Sequence, residues 1–186
     1  KKFTKLHNNC SGKHLSMLIF SKLLSVDSNN YFELIHKTQE ITKQYFIEIF
    51  ETEDIGFGID GCGLPAINLN VTNFLNSIKF MQKSRSAESW NKVFQAYTTH
   101  PEIIGGENRT DTNIIINSER KLLAKSGAEG VLFVTDNNES FIFNCIDGSK
   151  RGVDLAASYF LYSNGWISKK PFEYLDNIYT SNRQNT

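Results

Sequence analysis

Apolar positions along the chain fall into helical stripes first and alternating runs later. Leu15, Leu18, Ile19 and Leu23 recur at helical spacing, so a helix follows directly on Cys10–His14. Asn29 and Asn30 offer caps for a second helix from Tyr31 to about Phe50. Ile55 to Asp60 reads as a short strand running into the glycine turn Gly61–Gly63. Val71, Phe74, Leu75, Ile78 and Met81 make a third helical stripe, and Trp90, Val93, Phe94 and Tyr97 a fourth. A loop, His100–Arg109, precedes a short helix from Thr112 to about Arg120.

The period then changes. Gly130–Thr135 and Ser140–Ile146 are β-rich runs joined by Asp136-Asn137-Asn138-Glu139, a hairpin signal. Asp147-Gly148 makes a turn, Gly152–Ser163 a covering helix and Pro171–Tyr179 a last helical segment before a polar tail. Helices first, then an antiparallel hairpin with its covering helix, predict an α+β fold. We read residues 1–186 as one incomplete domain, with a mainly helical part over 1–125 and the hairpin and C-terminal helices over 126–186.

Charge removes several function classes. Twenty Lys and Arg balance twenty Asp and Glu, a formal net charge of +0, which gives no global case for nucleic acid or an anionic membrane surface. No apolar run approaches the roughly 20 residues that span a bilayer. The basic start is not followed by the apolar stretch of a secretion signal, and residue 1 is Lys, so the chain reads as a fragment, a processed chain or a trimmed one. Three cysteines, Cys10, Cys62 and Cys145, suit free or metal-bound thiols in a reducing compartment, and we expect a cytoplasmic protein.

Two short blocks carry the chemistry. Asn8-Asn9-Cys10-Ser11-Gly12-Lys13-His14 crowds a thiol, an amine and an imidazole onto about one turn at a helix start, where backbone N–H groups favour thiolates. Asp60-Gly61-Cys62-Gly63-Leu64-Pro65 sets a second thiol beside a carboxylate in a turn. Two thiolates brought together attract zinc, and the residues themselves offer Cys10, Cys62 and either His14 or Asp60 as ligands. A structural reading competes at each position: a buried thiol, a solvated lysine, a turn-capping carboxylate.

Lys125-Ser126-Gly127 resembles the K-[ST]-G element of serine β-lactamases and penicillin-binding proteins. Arg109 either binds a substrate carboxylate or pins its loop to Asp111, and Cys145 reads as core. Asp147, Lys150 and Arg151 read as a turn with exposed charges, and Glu129 as a buried carboxylate or a solvent-facing turn residue. The S-x-x-K pattern occurs as Ser89/Lys92 and Ser118/Lys121, but neither pair opens a buried apolar helix as an activated serine would.

Taken in order, these blocks resemble the asparaginase II family, the zinc-dependent class 3 L-asparaginases, related in fold to serine β-lactamases and glutaminases. The resemblance is carried by Asn8–His14 with Met17, Asp60–Pro65, His100-Pro101, Gly105-Gly106 with Arg109 and Thr112, Lys125–Val131, and Asp147-Gly148 with Arg151. It implies zinc held by Cys10, Lys13 and Cys62, with Asp60, Arg109 and His14 toward the substrate and Lys125 in the reactive centre. The implied reaction is serine acyl transfer on L-asparagine, in a protein that works as a homodimer.

The family places its nucleophilic serine upstream of the Cys10–His14 block, so the resemblance implies that the N-terminal part is missing. Such a chain would be inactive alone and would expose apolar surface. Ser16 stands where the family usually has glycine before Met17 and is expected to crowd the helix start. The alternative reading is a truncated, non-catalytic relative that binds zinc or an amino acid.

Overall fold

The computed structural model describes residues 4, 5 and 8–168. The described chain is a mixed α+β protein, as the patterning predicts, and it forms two compact units, Lys1–Ser77 and Ile78–Thr186. The predicted segment Pro171–Tyr179 lies outside the described residues.

The first unit opens with α1 (Ser11–Leu23), capped by Cys10. The stripe Leu15, Leu18, Ile19 and Leu23 faces outward, with Leu23 76% exposed. The buried position of α1 is Ser21. Its hydroxyl meets that of Thr38, 2.8 Å away in α2 (Lys37–Phe50), and both residues are 0% exposed. Since the Met17 carbonyl can only accept, Ser21 Oγ donates to it at 2.9 Å, and Thr38 therefore donates to Ser21.

Helix α2 starts later than the sequence predicts. Asn30 is not a cap but a left-handed turn residue, φ 57°. The cap is His36, whose Nδ1 accepts the Thr38 N–H at 3.2 Å while Nε2 donates to the Asp27 carbonyl at 2.7 Å. Near the end of α2, the Phe46 and Phe50 rings lie tilted to each other at 5.7 Å, and Phe50 stacks on Phe74 at 6.3 Å.

The predicted strand is β1 (Gly56–Ile59), and it pairs antiparallel with β2 (Pro65–Asn68), which the pattern did not announce. Ile59 stands opposite Pro65, the Asp60 N–H donates to the Leu64 carbonyl at 2.8 Å, and Gly63 takes φ 87° to close the turn. Leu64, fully buried, anchors that turn.

Helix α3 (Val71–Lys83) carries the chain from one unit into the other. In the second unit, α4 (Ala87–Thr99) ends at His100 as expected. The segment expected as loop contains a single helical turn, α5 (Pro101–Ile104), with Pro101 in the first turn where its missing N–H costs nothing. The helix α6 (Thr110–Ile116) starts and stops earlier than predicted. Its C-terminal neighbours turn away because Ser118 bridges to Ile167, with the Ser118 hydroxyl donating to the Trp166 carbonyl at 3.0 Å.

The strands β3 (Leu123–Ser126), β4 (Val131–Thr135) and β5 (Ser140–Asn144) form one antiparallel sheet in that order. Helix α7 (Lys150–Ser163) covers it, starting earlier than predicted because Ser149 caps the Gly152 N–H. Ile114, Leu122, Leu132, Val134, Ala157 and Leu161 fill the core between sheet and helix. A second cluster joins Ile78, Trp90 and Phe94 to Leu123.

The hairpin turn is pinned from outside. Trp90 Nε1 donates to Asn137 Oδ1 at 2.9 Å, and Arg120 reaches Asp136 at 3.1 Å while lying 4.6 Å from the Trp166 ring centre. Cys145 corrects the sequence reading: it follows the end of β5, half-buried against the core cluster. Its thiol bonds the Asp147 carboxylate and is pushed up from the ordinary thiol range, chiefly by that bond.

Candidate metal centre and the Lys125–Asp111 pair

The first unit brings together the residues that the sequence places in two distant blocks. Cys10 caps α1, its N–H held by Asn8 Oδ1 at 2.8 Å. Cys62 sits at the tip of the β1–β2 turn, which also carries Asp60. The two thiols and the Asp60 carboxylate lie within 4.8 Å of one another, a spacing that one ion can bridge.

Lys13, one turn into α1, points its Nζ at the same place, 3.3 Å from Asp60 Oδ2 and 3.2 Å from the Pro65 carbonyl. The two cysteines share a hydrogen bond, and this chiefly pushes the Cys10 thiol above its usual range. Asp60 is held below the usual carboxylate range, first by the Gly61 N–H at 2.7 Å and then by Lys13. Two soft sulfur donors, a carboxylate and an amine around one point suit zinc in donor type and spacing.

His14 stands outside this donor group. Its Nδ1 is 2.6 Å from the Tyr31 hydroxyl, with the rings edge to face at 5.9 Å. His14 and Cys62 border an open, mostly apolar groove of about 510 Å³, whose other walls include Ser11, Gly12, Leu15 and Leu18. Ser16 does not crowd the helix: it is exposed and donates to the Lys13 carbonyl at 2.8 Å.

In the second unit, Lys125 lies near the end of β3, and its Nζ is 3.4 Å from Asp111 Oδ2. The same oxygen accepts the Ser126 N–H at 3.1 Å. Asp111 is 1% exposed. Burial alone would raise its carboxyl pKa, but the Ser126 N–H and the Lys125 ammonium outweigh it and hold the group below the usual range.

Arg109 is exposed and caps α6 in extended conformation. Among the described residues no ion pair joins it to Asp111, so the anchoring role read from sequence belongs to Lys125 instead. Lys150 is an exposed charge as the sequence suggests, but it opens α7 rather than lying in a turn, and it bonds buried Asp154 and the Thr110 hydroxyl. Glu129 is the solvent-facing turn residue of the two readings, at φ 55°.

Sequence reasoning missed Tyr31 as the partner of His14, and it paired Asp111 with Arg109 rather than with Lys125. Tyr31 carried no signal. Asp111 did, in the Thr110-Asp111-Thr112 start of a helix, but its partner is fourteen residues further on.

These features define an α+β protein with a thiol–amine–carboxylate cluster on a helix start and hairpin, and an anchored lysine on a β-strand. The family model of L-asparaginase II matches residues 1–186, and the chain belongs to that family. Membership gives it an L-asparaginase-like function on a small amide substrate. No curated protein matches the sequence. Among the described residues no helix is long and apolar enough to cross a membrane.

Proposed function

We propose that the protein hydrolyses L-asparagine to L-aspartate and ammonia through a serine acyl-enzyme, at a site containing zinc held by Cys10, Lys13 and Cys62. The observation that supports this reading is the convergence of Cys10, Asp60 and Cys62 within 4.8 Å, with Lys13 on Asp60. Zinc bound there would supply a Lewis acid and would let the thiols and the lysine amine serve as ligands at neutral pH.

Asp60, released from Lys13, and His14 on the groove wall are the groups that orient the substrate. Arg109 is exposed and free of Asp111, which leaves it open to a substrate carboxylate. Lys125 belongs to the reactive centre; its link to the metal centre rests on the family resemblance.

The proposal assigns the nucleophile to a serine outside these residues, because neither S-x-x-K pair is an activated one. Lys92 is paired with Glu88 at 2.7 Å, and the Ser118 hydroxyl is spent on the Trp166 carbonyl. The homodimeric and cytoplasmic state belongs to the same proposal.

Zinc content of the purified chain is the test. About one ion per chain is expected, lost in Lys13→Ala and Cys62→Ser, with no ammonia release from asparagine by these residues alone. A wild-type chain that takes up no zinc would overturn the metal assignment. Ammonia release abolished by Lys125→Ala would overturn the placement of the nucleophile.

A further inference from the structure

Lysines near a reactive centre serve either as bases, which must be neutral, or as fixed positive charges. The surroundings of Lys125 distinguish the two. Its Nζ has two oxygen partners, the Ser126 carbonyl at 2.7 Å and Asp111 Oδ2 at 3.4 Å. Both only accept, and the negative charge of the Asp111 carboxylate rewards a positively charged nitrogen.

Asp111 is itself held in place. Its Oδ2 accepts the Ser126 N–H and its Oδ1 the Thr112 N–H at 3.2 Å. Gly105 packs so closely that a Cβ there would lie 2.8 Å from Asp111 Oδ1. Thr112 in turn donates to the Gly106 carbonyl at 2.7 Å and lies 3.2 Å from that of Pro101. The α5–α6 corner is therefore a socket for one carboxylate, and that carboxylate serves one lysine. A buried anion is tolerated only with such a partner.

We propose that Asp111 is a positioning residue that fixes Lys125 as an ammonium at the end of β3. Lys125 then acts in the proposed reaction as a stationary positive charge and not as the proton acceptor. The inference rests on the proposed function for the meaning of Lys125, but the ion pair is testable without activity.

The test is acetylation of the intact chain by limiting acetic anhydride at pH 8, read residue by residue by mass spectrometry. Asp111→Asn keeps the shape and an oxygen for the Ser126 N–H but removes the charge. Lys125 should then react a few-fold faster than in wild type, the scale for losing one half-exposed ion pair. Exposed Lys92 serves as the internal control and should not change. Equal Lys125 reactivity in a folded Asp111→Asn chain would overturn the proposal.

If that variant does not fold, the ammonium protons of Lys125 in wild type decide. Exchange with solvent slower than at exposed Lys92 supports the proposal, and equal exchange overturns it. Neither readout depends on zinc. A chain without zinc but with a protected Lys125 would sink the metal assignment and leave this inference standing.

Discussion

Removing the hydroxyl of Ser21 should destabilise the first unit more than removing that of Thr38, and removing both should cost less than removing Ser21 alone. The order follows from the direction of the two hydrogen bonds. Thr38 donates to Ser21, and Ser21 donates to the Met17 carbonyl, with both side chains 0% exposed. Ser21→Ala leaves the Thr38 O–H buried with no acceptor from α1, at a cost of about 2 kcal/mol. Thr38→Val keeps the shape, and Ser21 retains its own donor bond, so only one neutral bond is lost, about 1 kcal/mol. In the double variant two apolar groups face each other and no polar group is stranded, which places it about 1 kcal/mol or less below wild type. The coupling is then about 2 kcal/mol, within the range for residues in direct contact. Urea unfolding followed by far-UV circular dichroism at pH 7 measures all four proteins on one scale. Two results would refute the reasoning: a double variant as costly as the sum of the singles, or a Thr38→Val chain less stable than Ser21→Ala.

Gly105→Ala should lower the stability of the second unit by about 2 kcal/mol, because its Cβ would collide with Thr112 Oγ1 and Asp111, neither of which can retreat without losing bonds. Calorimetry that finds an unchanged melting temperature would contradict the packing described for that corner. Stability should also fall in acid through Asp111. Its carboxyl is held below the usual range in the folded chain, so its contribution is present in full above the unfolded value of about 3.9 and is lost as pH falls through the lower folded value. Asp111→Asn should flatten that part of the stability–pH curve, and an unchanged acid limb would show that the carboxylate is not its source.

The sequence made the local elements plain where period and punctuation agreed. Cys10–Lys13 could be placed at a helix start because Leu15, Leu18, Ile19 and Leu23 began a stripe just after it, and α1 begins at Ser11. The 136–139 turn was legible because four polar residues separate two β-rich runs. What the stripe could not say is which way it faces: α1 turns the Ser21 hydroxyl inward and its leucines out.

Strand β2 was invisible because Pro65–Asn68 has no alternation of its own and owes its conformation to the ladder with β1. The start of α2 was misplaced because histidine is an uncommon cap and only its long-range bond to the Asp27 carbonyl fixes the ring. The candidate metal donors were readable as two blocks, since each carries its chemistry in a few adjacent residues. The Asp111–Lys125 pair was not, because which strand lysine meets a helix carboxylate is set by topology rather than by spacing.

The Ser118–Ile167 bridge has a kinetic meaning as well. The β4–β5 hairpin closes over a turn of a few residues, whereas the bridge joins positions 49 apart in the chain and the Ser118–Trp166 bond positions 48 apart. The entropy of loop closure puts such a contact late in folding. Until it forms, Trp166 has not yet reached Arg120 or the ring of Phe141, 5.1 Å from it in the finished protein. A chain paused at that stage presents an aromatic face to its neighbours, so the second unit is most exposed to self-association in the interval between sheet formation and the closing of this clasp.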